Sequence, residues 1–439
     1  MPRFNTTKFW ALFTLALPLI LANITTPLLG LIDTAILGHM PGVHFLAGAS
    51  IASLILTQLY WLCGFLKMSI TGLSAQRKTA SQEAKAQVLM QGLAFALGLG
   101  LLILLAQHAI LHAGLYFAQA SATLQETIQT YFTIRVWGAP AALMNMVLMG
   151  WLVGQQRTRS VLVLQVVINI VNIVASLCFV YVFDMQVAGV ALGTVVAEYT
   201  LLIFAVLHAI KQLGILHIKR DWFAWAQLSS LMHLNSHIFV RNLMLQLTLA
   251  FVTLQGARYG ELAAASNAII MQFFALIALG LDGIANALEA KVGEAKGEQN
   301  IAALGEQVQI GLIWSSIIAV AYSLAFILFD QQIIAHLTEL PQLHDYMSHY
   351  QGIIWLLPLI AHWCFLYDGV FVGLTKARAM QYSMMASTLL VFFPVWYLFK
   401  AHGNQALWWA LLAFLAARGL SLAWVYHYSM RVKPTHLMT

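Results

Sequence analysis

Residues 9–37 read FWALFTLALPLILANITTPLLGLIDTAIL, twenty-nine positions with one formal charge, Asp33. An apolar α-helix of about 20 residues crosses a bilayer, so this stretch spans one with residues to spare. The basic flank at Lys8 gives it the look of a signal peptide. The run is too long for an h-region and no small-x-small site closes it, so it reads as a retained helix. The rest of the chain has the same character: 61% of the 439 residues are hydrophobic and 9% are charged. Soluble domains carry about 25% charged residues, and disordered chains are rich in charge and poor in apolar residues. Both classes are excluded. The expected fold class is an all-α polytopic membrane protein.

Hydropathy places twelve spans, at residues 9–37, 44–74, 87–107, 128–154, 159–183, 187–211, 236–259, 262–290, 304–329, 347–374, 379–400 and 405–428. With the N-terminus in the cytoplasm, sixteen of the 22 Lys and Arg fall on inner segments and only Arg258 and Lys400 on outer loops. The other four, Lys67, Arg135, Arg241 and Arg418, lie within helices. This asymmetry is the positive-inside pattern and predicts that both termini are cytoplasmic. It also accounts for the net charge of +6, so no nucleic-acid partner is expected. Cys63, Cys178 and Cys364 are an odd, dispersed set inside apolar runs. They read as small core residues, neither a disulfide framework nor a metal site.

The two halves resemble each other at a shift of 215–219 residues. Leu73–Glu83 aligns with Leu288–Glu298, and Ala47-Gly48-Ala49-Ser50 with Ala263-Ala264-Ala265-Ser266. Trp137 and Pro140 meet Trp355 and Pro358, and Gly154, Arg157 and Arg159 meet Gly373, Lys376 and Arg378. Equivalent points are six helices apart, an even number, so the halves share one membrane orientation. That is a parallel repeat about an axis along the membrane normal, one of the repeat types of secondary transporters. The expected organisation is an N-lobe over residues 1–211, a cytoplasmic linker over 212–235 and a C-lobe over 236–439. The linker holds His217, Lys219, Arg220, Asp221 and Trp222, which suit a segment lying along the membrane surface.

Several motifs carry a resemblance. They are Leu15-Ala16-Leu17-Pro18, Pro27–Ala35 with Gly38-His39, Thr71-Gly72-Leu73-Ser74-Ala75-Gln76, Ala188–Thr194, Leu281-Asp282-Gly283 and Asp368–Gly373. As a set they resemble the multidrug and toxic compound extrusion (MATE) transporters of the MOP superfamily, with the DinF-like branch nearest. The resemblance covers nearly the whole chain. It implies that helix 1 bends at Pro18 when Asp33 is protonated.

Ionisable residues inside a membrane are costly and are default candidates for function. Asp33 is the leading one. Asn23, Thr26, Gly30 and Asp33 are spaced 3, 4 and 3 and share one helix face. Burial disfavours a charged carboxylate, so an acid placed there would load and release a proton. Equally, Asp33 would be a helix-end residue facing the outer interface beside Gly38 and His39. Pro18 and Pro27 remove backbone donors, so helix 1 is expected to kink, as a hinge or as a static bend. On helix 5, Gln165, Asn169, Asn172 and Ser176 form a second stripe, and helix 6 adds Thr194 and Glu198 at i, i+4. These read as a proton or cation site in the N-lobe, with Glu198 as the partner of Asp33, or as ordinary interhelical hydrogen bonds. Many family members have an aspartate where this chain has Ser176, and its loss favours protons over sodium.

In the C-lobe, Arg241, Gln246, Asp282, Glu289 and Asp368, with Arg418, would satisfy one another in a polar network, structural or functional. Lys67 and Asp282 occupy matching repeat positions with opposite charge. They would pair as a gate or snorkel separately to the interface. No acid matches Asp33 in helix 7.

The expected function is therefore a proton-coupled antiporter exporting lipophilic or cationic drug-like molecules from a bacterial inner membrane. It would act as a monomer with no cofactor beyond H+ as coupling ion. The alternatives are sodium coupling in the same fold and a lipid-linked precursor flippase. No HExxH, Walker A or dinucleotide fingerprint supports an enzyme.

Overall fold

The structure, a computed structural model, describes residues 6–118, 121–214 and 218–432, so His217 lies outside it. Among the described residues it is helical throughout, without strands. Twelve helices are long and apolar enough to cross a membrane. They are α1 (Thr6–Gly38), α2 (Val43–Gln76), α3 (Gln82–Leu105), α4 (Ala122–Gly154), α5 (Thr158–Val182), α6 (Gln186–Leu213), α7 (Trp225–Ala257), α8 (Glu261–Gly297), α9 (Ile301–Leu337), α10 (Gln351–Gly373), α11 (Ala377–His402) and α12 (Asn404–Val432). Each expected span overlaps one of them. Helices satisfy their own backbone groups, which lipid cannot do. At 37 residues each, α8 and α9 exceed what the hydrocarbon requires.

Four spans are locally irregular. A turn at Cys63 and Gly64 interrupts α2, and α4 tightens into a 3₁₀ turn at Val136–Gly138 before Pro140. The repeat-equivalent helices α5 and α11 each contain a π-helical turn, at Cys178–Val182 and Ser387–Phe392. By contrast α1 runs unbroken through Pro18 and Pro27.

The chain divides into two compact units: Met1–Ile20 with His233–Thr439, and Leu21–Met232. We call these the C-terminal and N-terminal units. Both α1 and its repeat partner α7 therefore begin in one unit and end in the other. In α1 the change falls just after Pro18. Its first turns belong with α9 of the C-terminal unit. There Phe9 and Phe13 stack on Trp314 with ring centroids 4.4 Å apart. Trp314 Nε1 also donates to the Phe9 carbonyl at 2.9 Å. Lys8 meets Glu306 at 2.6 Å. Beyond α6, Trp222 is buried, its carbonyl accepts from Gln91 Nε2 at 2.7 Å, and Lys219 pairs with Glu83.

Trp151, Phe132, Leu56 and Ile70 are fully buried in the N-terminal unit, and Phe273, Trp408, Phe392 and Phe414 in the other. Large apolar residues such as Leu101, Ile203, Leu328 and Leu398 face outward, as lipid contact allows. Cys63 and Cys364 are buried and Cys178 half-buried, all without disulfides.

Close helix packing repeats in both units. In α4, a Cβ at Gly150 or Gly154 would lie 2.6 Å from the backbone oxygen of Lys67 or Thr71 in α2. In α10, a Cβ at Gly369 or Gly373 would lie 2.7 or 2.6 Å from the backbone oxygen of Ala285 or Glu289 in α8. Each is a Gly-x-x-x-Gly face that lets two backbones touch. A methyl there must push the helices apart, at a cost of about 1–3 kcal/mol. Gly150→Ala and Gly369→Ala should each lower the melting temperature of the purified protein. Gly98→Ala, which faces open space, should not.

Candidate functional site

The polar residues of the N-terminal unit form two arrangements. In the first, α5 bonds to both neighbours. Asn169 Nδ2 donates to the Thr25 carbonyl of α1 at 3.1 Å. That carbonyl lies in the turn entering Pro27, where the missing proline N–H already disturbs the helical ladder. Asn172 Nδ2 donates to Thr194 Oγ1 of α6 at 3.0 Å, and Thr194 Oγ1 donates to the Val190 carbonyl. Ser176 lies against Gly193, where a Cβ would come within 2.3 Å of its hydroxyl oxygen.

The other side of this stripe is unsatisfied. Asn169 Oδ1, Asn172 Oδ1 and Ser176 Oγ are buried without a hydrogen-bond partner, and so is Asp33 Oδ1. Buried acceptors left in this state cost about 1–3 kcal/mol each. Asp33 itself is half-buried near the end of α1. The neighbouring His39 turns its Nδ1 to the Ala35 carbonyl at 2.7 Å. On the expected α1 face, Asn23 is engaged, Gly30 adjoins open space, and the Thr26 side chain lies outside the described residues.

The second arrangement is an ion pair. Arg135 of α4 grips Glu198 of α6 with both nitrogens, Nη2 to Oε1 at 2.6 Å and Nη1 to Oε2 at 2.9 Å. Asn145 Nδ2 donates to the Glu198 carbonyl at 2.9 Å, and the Arg135 guanidinium lies 5.7 Å from the Tyr60 ring centroid. Gly138 makes the room, since a Cβ there would stand 2.1 Å from Glu198 Oε2. Arg135, rather than Asp33, is thus the partner of Glu198. A guanidinium matches a carboxylate in two parallel bonds, which a second acid cannot supply. Sequence reasoning counted Arg135 toward topology and missed this role. The signal was present, because a base inside a span needs an acid.

The C-terminal unit is organised around Asp368 of α10. Its Oδ2 accepts from Arg241 Nη2 of α7 and from Arg418 Nη2 of α12, the latter at 2.5 Å. Arg241 Nη1 also donates to Asn242 Oδ1 at 2.9 Å. Asp282 lies within the electrostatic reach of Arg418, and Gln246 and Glu289 have polar contacts of their own. A further network went unread in the sequence. Asn267 of α8 and Asn404 of α12 exchange amide hydrogen bonds of 2.8 and 2.9 Å. Trp408 Nε1 donates to Asn267 Oδ1 at 2.7 Å. No cluster of three or more His, Cys, Asp or Glu suits a metal among the described residues.

The sequence profile of the MatE family matches residues 18–180 and again residues 238–398. The chain belongs to the MATE family. Its members are transporters, not enzymes, and this chain is a multi-pass membrane transporter of that type. It is 40% identical to DNA damage-inducible protein F of Escherichia coli (strain K12), over 96% of this chain and 93% of that protein. It is 24% identical to multidrug resistance protein NorM of Vibrio cholerae, over 75% and 73%. The fold matches a crystal structure of the Vibrio cholerae MATE transporter VcmN in its bent form, with a TM-score of 0.87, 17% identity and 99% of both chains covered. The two matches of one profile start 220 and end 218 residues apart, in keeping with the repeat read from the sequence.

Removing one partner of a buried pair leaves the other charge stranded, at about 3–5 kcal/mol. Glu198→Ala should therefore lower the melting temperature sharply. Combining Glu198→Leu with Arg135→Met should recover most of it.

Proposed function

We propose that the chain is a proton-coupled antiporter that exports lipophilic, often cationic, small molecules by alternating access. It works in a bacterial inner membrane with both termini in the cytoplasm. Membership of the family and the multidrug-resistance name of the NorM relative support the substrate class. Sixteen cytoplasmic bases against two outside support the orientation.

One observation carries the coupling: Arg135 holds both oxygens of Glu198, whereas Asp33 Oδ1 is buried with no partner. Asp33 is therefore the N-terminal unit's candidate for the group that changes charge. A proton taken up there from outside converts an acceptor into a donor. The surrounding unit is short of donors, with Asn169, Asn172 and Ser176 each presenting an unpartnered oxygen. In this reading Thr194 anchors Asn172, and Pro18 is the hinge. The helix can bend there because Pro18 supplies no N–H to the Thr14 carbonyl. Pro27 loosens the turn that Asn169 holds. The bend expels substrate, and return to the inward-open state releases the proton.

The same unpartnered oxygens favour a second reading, in which they hold a sodium ion. The flippase reading loses ground, since Arg135, Arg241 and Arg418 are all engaged by carboxylates.

Substrate-dependent proton flux in proteoliposomes separates these readings. Asp33→Asn should reduce it to background while the protein keeps its fold and melting temperature. Proton-dependent efflux that survives in this variant would sink the mechanism. Efflux driven by a sodium gradient with the proton gradient collapsed would favour the second reading.

A further inference from the structure

The N-terminal unit has a polar feature that transport does not use. α2, α4 and α6 finish, and α3 and α5 begin, on one face of the membrane. There a cavity of about 410 Å³ is lined by Lys78, Lys85, Arg157, Trp151 and four glutamines. No carboxylate lines it. Lys85 and Arg157 join no salt bridge among the described residues.

The walls are fixed in place. Lys78 Nζ donates to Gln156 Oε1 at 2.7 Å, and Gln156 sits at a left-handed φ of 60° in the tight α4–α5 corner. Gln155 Nε2 donates to the Ser74 carbonyl and hydroxyl at 2.8 and 3.0 Å. Trp151 Nε1 donates to the Lys85 carbonyl at 3.2 Å. The repeat arranges its equivalent corner differently. In the C-terminal unit the same corner has Thr375 at φ 53°. There the buried Lys296 donates to the Leu374 carbonyl at 2.8 Å.

Topology accounts for bases on this face, but not for three that converge on one space with acids kept out. Gathered like charges repel, and a multivalent anion removes that cost. Ammonium, guanidinium and carboxamide groups all donate, and a tetrahedral phosphate offers acceptors in enough directions to meet them. The volume falls within the range of about 300–1,000 Å³ typical of small-ligand sites and exceeds what a monatomic ion fills. Basic pockets between membrane helices bind phosphate headgroups in this way. We propose that this cavity binds a phosphate-bearing anion through Lys78, Lys85 and Arg157, whether a lipid headgroup or a soluble phosphate.

Thermal unfolding of the purified full-length protein tests it, at ionic strength held constant with sodium chloride. One arm adds inorganic phosphate and the other dopes the micelles with phosphatidylglycerol. At least one should raise the melting temperature. A response to inorganic phosphate supports a soluble ligand, and a response to phosphatidylglycerol alone supports a headgroup. The double variant Lys85→Gln with Arg157→Gln should need about tenfold or more anion for the same shift. Its melting temperature without anion should equal or exceed the parent's, because the repulsion among the bases is relieved. Should it not fold, Arg157→Gln alone serves, because that side chain is exposed. No shift in either arm, or an equal shift in the variants, overturns the proposal.

Discussion

An ionised group inside a bilayer must find its counter-charge within the protein, and much of this architecture follows from that rule. Water is absent from the hydrocarbon, so an unpaired charge there is several kcal/mol out of place. Arg135 and Glu198 satisfy the rule in one unit and thereby tie α4 to α6. Asp368 satisfies it in the other by accepting from two arginines, and so ties α10 to both α7 and α12. Once these pairs are made, Asp33 joins no ion pair among the described residues, although Arg135 lies within its electrostatic reach. It lies on the helix that passes between units, and its buried oxygen has no partner.

The two repeats share backbone geometry more than they share charge. Backbone contacts tolerate little change, and the glycine faces of α4 and α10 meet α2 and α8 in the same way. The left-handed corners at Gln156 and Thr375 are likewise shared. The ion pairs are not shared in this way. In α6 the acid Glu198 faces an arginine from α4, while in α12 the base Arg418 faces an aspartate from α10.

Spans and repeat were legible because both rest on long, redundant signals. Twenty-nine nearly uncharged residues admit one reading, and repeat matches at a common offset reinforce one another. Asp33 stood out as a candidate for the same reason, as the single charge in its run. The partner of Glu198 was not, because the choice between Asp33 and Arg135 depends on how α4 and α6 are rotated about their axes. Periodicity groups Asn169, Asn172 and Ser176 on one face but cannot tell which of their atoms find partners. The Asn267, Asn404 and Trp408 network joins residues 137 and 141 positions apart, beyond any local pattern. Nor does a sequence reveal that one continuous helix is shared between two units.

That sharing has a consequence for synthesis. Phe9 meets Trp314 across 305 residues of chain. The opening turns of α1 therefore leave the ribosome long before their packing partner exists. In the interval these apolar turns lack that packing partner. The N-terminal unit can gather its other helices meanwhile, but the first segment of the chain is among the last to reach its final contacts.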